Sequence, residues 1–112
     1  MKILVVDDDP EVLAVASATL ADVGYTVLSA PSGPEALKVL QENRDVDLLF
    51  TDIVMPGLDG FDLADRARQL RPGLRVLYSS GYLRDEGVWH GSLVTKPWRP
   101  DDLQRAIENA LT

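Results

Sequence analysis

A chain of 112 residues with 46% apolar content suits one compact domain around a single core and leaves no room for a second. Eighteen acids against eleven bases give a net charge of −7, and no run of Lys or Arg offers a stripe that tracks phosphates, which argues against nucleic acid as a direct partner. There is no cysteine, no basic opening followed by an apolar run, and no apolar stretch of about 18 residues, so neither secretion nor membrane spanning is indicated and a cytoplasmic protein is expected.

The first predicted strand covers residues 3–6 and runs into Asp7, Asp8 and Asp9. Adjacent carboxylates at a strand end repel one another and call for a cation, a proton or a helix terminus nearby. Asp9 as N-cap and Pro10 as first residue start the first helix, which is expected to bury Leu13, Ala16, Leu20 and Val23 and to stop at Gly24. A second strand follows over 25–30, then a helix with the capping-box spacing Ser32 to Glu35 and Ala36, Leu37 and Leu40 on its inner face.

The third strand, 48–51, leads into Asp52. The third helix is expected over about 61–70, burying Phe61, Ala64, Ala67 and Leu70 before Pro72-Gly73 breaks it. A fourth strand covers 76–79, and the segment 80–91 is too short and irregular for a regular helix. The fifth strand, 93–95, leads into Lys96. The last helix begins near Pro100, places Asp101 and Asp102 in the turn where the helix dipole favours acids, and aligns Leu103, Ala106, Ile107, Ala110 and Leu111.

Near-continuous apolar strands are covered on both faces, and strands alternating with helices imply right-handed crossovers in a parallel sheet. The predicted fold is therefore a three-layer α/β sandwich. Ligands of such sheets bind beyond the carboxyl ends of the strands, where the strand order reverses. Asp7 and Asp8, Asp52, Ser79 and Lys96 all fall on that edge. If the first and third strands are neighbours, as in the flavodoxin-like order, three carboxylates converge. Hard oxygen ligands without His or Cys suit Mg²⁺ better than a transition metal. A lysine and a hydroxyl facing a carboxylate and a hard cation would stabilise a phosphoryl group, and attack by Asp52 on phosphorus would yield an aspartyl phosphate.

The segments ILVVDDDP, DLLFTDIVMPGLDG, VLYSSGY and TKPW, in this order and spacing, resemble the receiver domain of two-component response regulators. The resemblance covers residues 1–112 and is to a stand-alone, chemotaxis-receiver-like domain. It implies a flavodoxin-like sandwich with five parallel strands in the order 2-1-3-4-5. It also implies a phosphoacceptor role, with a sensor histidine kinase or phosphotransfer protein as donor and a downstream protein as target. Position by position, Asp52 matches the phosphoacceptor, Asp7 and Asp8 the acidic pair, Ser79 the switch hydroxyl and Lys96 the family's lysine. The family further implies a metal ligand from the backbone carbonyl of Val54 and a contact from the Ser80 N–H to the phosphoryl group. Mg²⁺ is thus expected on Asp7, Asp8, Asp52 and Val54, while Asp9 is structural.

Two departures stand out. Leu93 occupies a position where receivers commonly carry a Tyr or Phe that reports phosphorylation to partners, and the stretch from Ser79 to Lys96 is short, so the fourth helix is expected to be one turn or missing. Trp98 stands where the family often has Phe, Tyr82 is expected either to flank the pocket or to cover it, and His90 beside Trp89 is expected at the surface. A stand-alone receiver is expected, with a receiver excised from a hybrid kinase as the alternative. The Asp-x-Asp spacing of Asp7 and Asp9 also admits an aspartate-nucleophile phosphatase of the haloacid dehalogenase type, which would turn over small phosphate esters. A binding module that keeps the pocket but signals without phosphate is the third reading.

Overall fold

Nine elements follow one another in the computed structural model, which describes residues 1–80, 92–96 and 98–112. They are β1 (Lys2–Val6), α1 (Pro10–Val23), β2 (Thr26–Ala30), α2 (Gly33–Glu42), β3 (Leu48–Asp52), α3 (Gly60–Leu70), β4 (Arg75–Ser80), β5 (Ser92–Thr95) and α4 (Pro100–Leu111). The strands form one parallel sheet in the order β2-β1-β3-β4-β5. The order reverses between β1 and β3, which places the switch point there. The expectations for a fourth helix before β5, for Tyr82, Trp89 and His90, lie on 81–91, outside the described residues.

Successive side chains of a strand point to opposite faces, and this alternation divides the core into two layers. Ile3, Val5, Leu48, Phe50 and Leu77 pack with Ala16 and Leu20 of α1 and with Leu103 and Ile107 of α4. Leu4, Val6, Leu49 and Tyr78 pack on the other face, with Leu40 of α2 and Leu63 and Ala64 of α3. The result is the three-layer, flavodoxin-like α/β sandwich anticipated from the sequence.

Local chemistry sets the helix ends. Asp9 Oδ1 accepts from the N–H of Glu11 at 2.9 Å and of Val12 at 3.4 Å, and Gly24 closes α1 with φ of 114°, a left-handed conformation that suits glycine. Ser32 Oγ accepts from the Glu35 N–H at 3.3 Å, and Asp59 caps α3 through the Asp62 N–H at 2.9 Å.

The helix faces need three corrections. Phe61 and Leu70, expected to be buried, are 36% and 41% exposed, and Leu63 fills the core instead. The reason is phase: α3 begins at Gly60, pressed against the backbone of Asp52, so its buried stripe is Gly60, Leu63, Ala64 and Ala67 at i, i+3, i+4 and i+7. Val23 is exposed as the final residue of α1, where the chain turns through Gly24 toward the edge strand β2. β2 itself is covered incompletely, with Thr26 and Ser29 exposed, because it has a neighbour on one side only.

Candidate functional site

Four polar residues at the carboxyl edge are each the next step on a column of core side chains. Asp7 follows Ile3 and Val5, Asp52 follows Leu48 and Phe50, Ser79 follows Leu77, and Lys96 follows Val94, all in the layer facing α1 and α4. The period of two therefore aims these side chains to the same side of the sheet. Register brings Asp7, Asp52 and Ser79 to one height, since Val6 pairs with Thr51 and Asp52 with Ser79, while Lys96 stands two residues beyond Val94, the partner of Ser79. The Lys96 N–H donates to the Ser80 carbonyl at 2.7 Å, which brings the lysine off β5 beside the carboxylates.

Asp7 and Asp52 are buried, and Asp8 is exposed at the mouth of the site. Carboxylate oxygens of Asp7, Asp8 and Asp52 all lie within 4.8 Å of one another. Lys96 Nζ lies 3.0 Å from Asp7 Oδ2 and 3.5 Å from Asp52 Oδ2. The second oxygen of each buried carboxylate is held locally: Asp7 Oδ1 accepts from the Asp9 N–H and Asp52 Oδ1 from the Ile53 N–H, both at 2.9 Å. The Lys96 ammonium thus lies against two of the three clustered acids.

Burial pushes the Asp52 carboxyl above the ordinary carboxylate value; Lys96 opposes this and the charge of Asp7 reinforces it. Burial alone would lower the Lys96 ammonium, but the hydrogen bond and charge of Asp7, followed by those of Asp52, more than offset it and raise it. The two directions are compatible because Lys96 lies closer to Asp7 than to Asp52.

The donor set fits a hard divalent cation. It offers carboxylate oxygens only, carries negative charge beyond what one lysine neutralises, and opens to solvent at Asp8. Ser79 Oγ is buried and has no hydrogen-bond partner among the described residues, which leaves a donor beside Asp52 for an incoming oxygen.

The loop after β3 is tied back onto Asp52. The Gly60 N–H donates to the Ile53 carbonyl at 2.8 Å, and a Cβ on Gly60 would lie 2.2 Å from the Asp52 carbonyl oxygen. Only glycine fits so close an approach. Thr51 Oγ1 donates to that same Asp52 oxygen at 2.9 Å. Both contacts position the acid, and sequence reasoning assigned a role to neither; the signal available was a glycine directly after the capping Asp59, where a helix former would otherwise stand. Val54 follows in the loop and is 73% exposed, and Ser80 is buried at the end of β4. Trp98 packs tilted against Phe50, ring centroids 6.4 Å apart, and Leu93 is partly buried against the layer that contains Tyr78.

Among the described residues no helix is long and apolar enough to cross a membrane. Comparison with known proteins agrees with the geometry. Residues 3–108 match the family model of the response regulator receiver domain. The chain is similar to the transcriptional regulatory protein GlrR of Escherichia coli, at 38% identity over 97% of the chain, and it spans 26% of that longer protein's length. It superposes on the chemotaxis protein CheY4 of Vibrio cholerae with a TM-score of 0.91 at 29% identity, covering 98% of both chains. The receiver domain of the hybrid histidine kinase CckA is 35% identical, with a TM-score of 0.88 and complete coverage of both chains. With the family model spanning nearly the whole chain and the acids, lysine and hydroxyl gathered at the switch point, the chain belongs to the response regulator receiver domain family of two-component signalling.

Proposed function

We propose that Asp52 accepts a phosphoryl group from a phosphohistidine of a sensor histidine kinase or phosphotransfer protein, with Mg²⁺ as cofactor, and that this switches binding to a downstream protein. The observation that carries this reading is the position of Lys96, 3.5 Å from Asp52 and 3.0 Å from Asp7, two members of a cluster of three carboxylates. Family membership supports the class of donor.

In the transfer, an Asp52 oxygen attacks phosphorus while the phosphorus–nitrogen bond of the donor breaks. The departing imidazole nitrogen keeps the electron pair and takes up a proton. Charge in the loose transition state is spread over three equatorial oxygens. Lys96 would neutralise one of them, the Ser79 hydroxyl would donate to another, and the Ser80 N–H would assist. The cation, held by Asp7, Asp8, Asp52 and the Val54 carbonyl, would supply further charge neutralisation at the phosphoryl oxygens. Ile53 keeps one Asp52 oxygen occupied, so the oxygen now facing Lys96 would be the attacking one.

The chain would act as a cytoplasmic phosphoacceptor that assists its own modification and not as a turnover enzyme. Intact-mass measurement after incubation with acetyl phosphate and Mg²⁺ tests this. One added phosphoryl group is expected in the wild type and none in Asp52→Asn; unchanged incorporation in that variant refutes the assignment. Sustained hydrolysis of small phosphate esters would favour the phosphatase reading.

A further inference from the structure

Leu93 lacks the ring that receivers commonly carry at this position of β5, yet an aromatic side chain lies next to it on the same face of the sheet. Tyr78 of β4 pairs in register with Leu93 on one side and Thr51 on the other. It is fully buried, and its ring stands tilted against Phe61 of α3, centroids 5.0 Å apart, within the range of favourable aromatic pairing. Arg68, two turns further along α3, hydrogen-bonds the Tyr78 hydroxyl.

This pair closes a circuit around the phosphoacceptor. Tyr78 is covalently joined to Ser79, which pairs with Asp52. Phe61 is covalently joined to Gly60, whose backbone presses on the Asp52 carbonyl. A backbone displacement of Ser79 relative to Asp52 would shift Tyr78 against Phe61, because each ring is one peptide unit from a different side of the site. Phe61 can respond in discrete steps: a helical aromatic has two populated χ1 rotamers, and 36% of this residue is already exposed.

We infer that the state of the Ser79 hydroxyl is relayed through the sheet by Tyr78 to Phe61, so that phosphorylation is displayed on the first turn of α3 and not at position 93. The relay rests on the proposed function of Asp52. It makes Tyr78 a positioning residue, outside the phosphoryl chemistry itself.

The chain contains two phenylalanines, Phe50 and Phe61, so biosynthetic 4-fluorophenylalanine gives two ¹⁹F resonances, with Phe50 in the opposite layer as an internal reference. Beryllofluoride with Mg²⁺ stands in for the phosphoryl group, and backbone amide shifts at Asp52 and Ser79 report its binding. The Phe61 resonance is expected to shift more than that of Phe50 on loading. In Tyr78→Leu, which removes the ring contact, loading should persist while the Phe61 response is lost; Tyr78→Phe, which keeps the contact, should retain it. Amide shifts at Asp52 and Ser79 with a silent Phe61 in the wild type would overturn the relay and leave the phosphoacceptor reading intact. A wild-type response in Tyr78→Leu would do the same. Failure of the wild type to load would overturn both.

Discussion

Lys96 Nζ stands 3.0 Å from Asp7 Oδ2, nearer than its 3.5 Å to Asp52 Oδ2. The lysine is therefore engaged by one of the carboxylates expected to hold the cation. Replacing it should leave that carboxylate freer and the site more negative. In Lys96→Ala, Mg²⁺ should bind more tightly, on the order of tenfold by the Coulomb energy of one charge a few ångströms away in a water-like medium. Phosphorylation should persist at a reduced rate while the conformational response fails. Calorimetric titration with Mg²⁺ measures the first effect, and weaker binding in the variant would show that Lys96 supports the cation.

Asp52→Asn should stabilise the metal-free protein. The raised pKa of Asp52 means that its ionised form is disfavoured in the fold, mainly through burial. With the folded value above the ordinary value of 3.8, the contribution to stability is full below that value and is lost as pH rises through the folded value. At neutral pH the variant should melt higher than the wild type, on the order of a few degrees. The gap should close below about pH 4, and on addition of Mg²⁺. Thermal unfolding across this pH range without metal checks the sign; a variant that melts lower at pH 7 would mean that the Lys96 pairing outweighs burial.

Asp8→Ala separates metal binding from stability. Asp8 is exposed, so its removal should change folding free energy by no more than about 0.5 kcal/mol. Mg²⁺ binding should nevertheless be lost, because the carboxylate cluster loses its solvent-facing member. Retained Mg²⁺ titration, followed by NMR, would remove Asp8 from the site.

Gly60→Ala should affect both fold and site. The added Cβ would lie 2.2 Å from the Asp52 carbonyl, so α3 must move away from the strand end. A cost of about 1–3 kcal/mol is expected from overpacking, together with slower phosphorylation. Gly73→Ala is the control: nothing lies within 4 Å of its Cβ position, and its effect should stay within about 0.5 kcal/mol. Equal chemical denaturation midpoints for the two variants would disprove the close approach.

Much of this protein is legible in the sequence because the relevant rules are local. Asp9-Pro10, Gly24 and Ser32 with Glu35 mark helix ends through backbone groups a few residues away, and the structure uses them as caps. The polar site residues are legible because each follows an apolar run by a step of the two-residue period, which fixes the edge and face on which it emerges. Tertiary structure alone decides the phase of α3, because Gly60 meets Asp52 through a loop closure that no periodicity encodes; burial passes from Phe61 and Leu70 to Leu63 for that reason. It alone decides that Lys96 divides itself unequally between two carboxylates, and that Tyr78 reaches Phe61 from the neighbouring layer. Those relationships depend on distances between residues far apart in the chain, set by how helices seat on a twisted sheet, whereas capping and alternation act within a few peptide units.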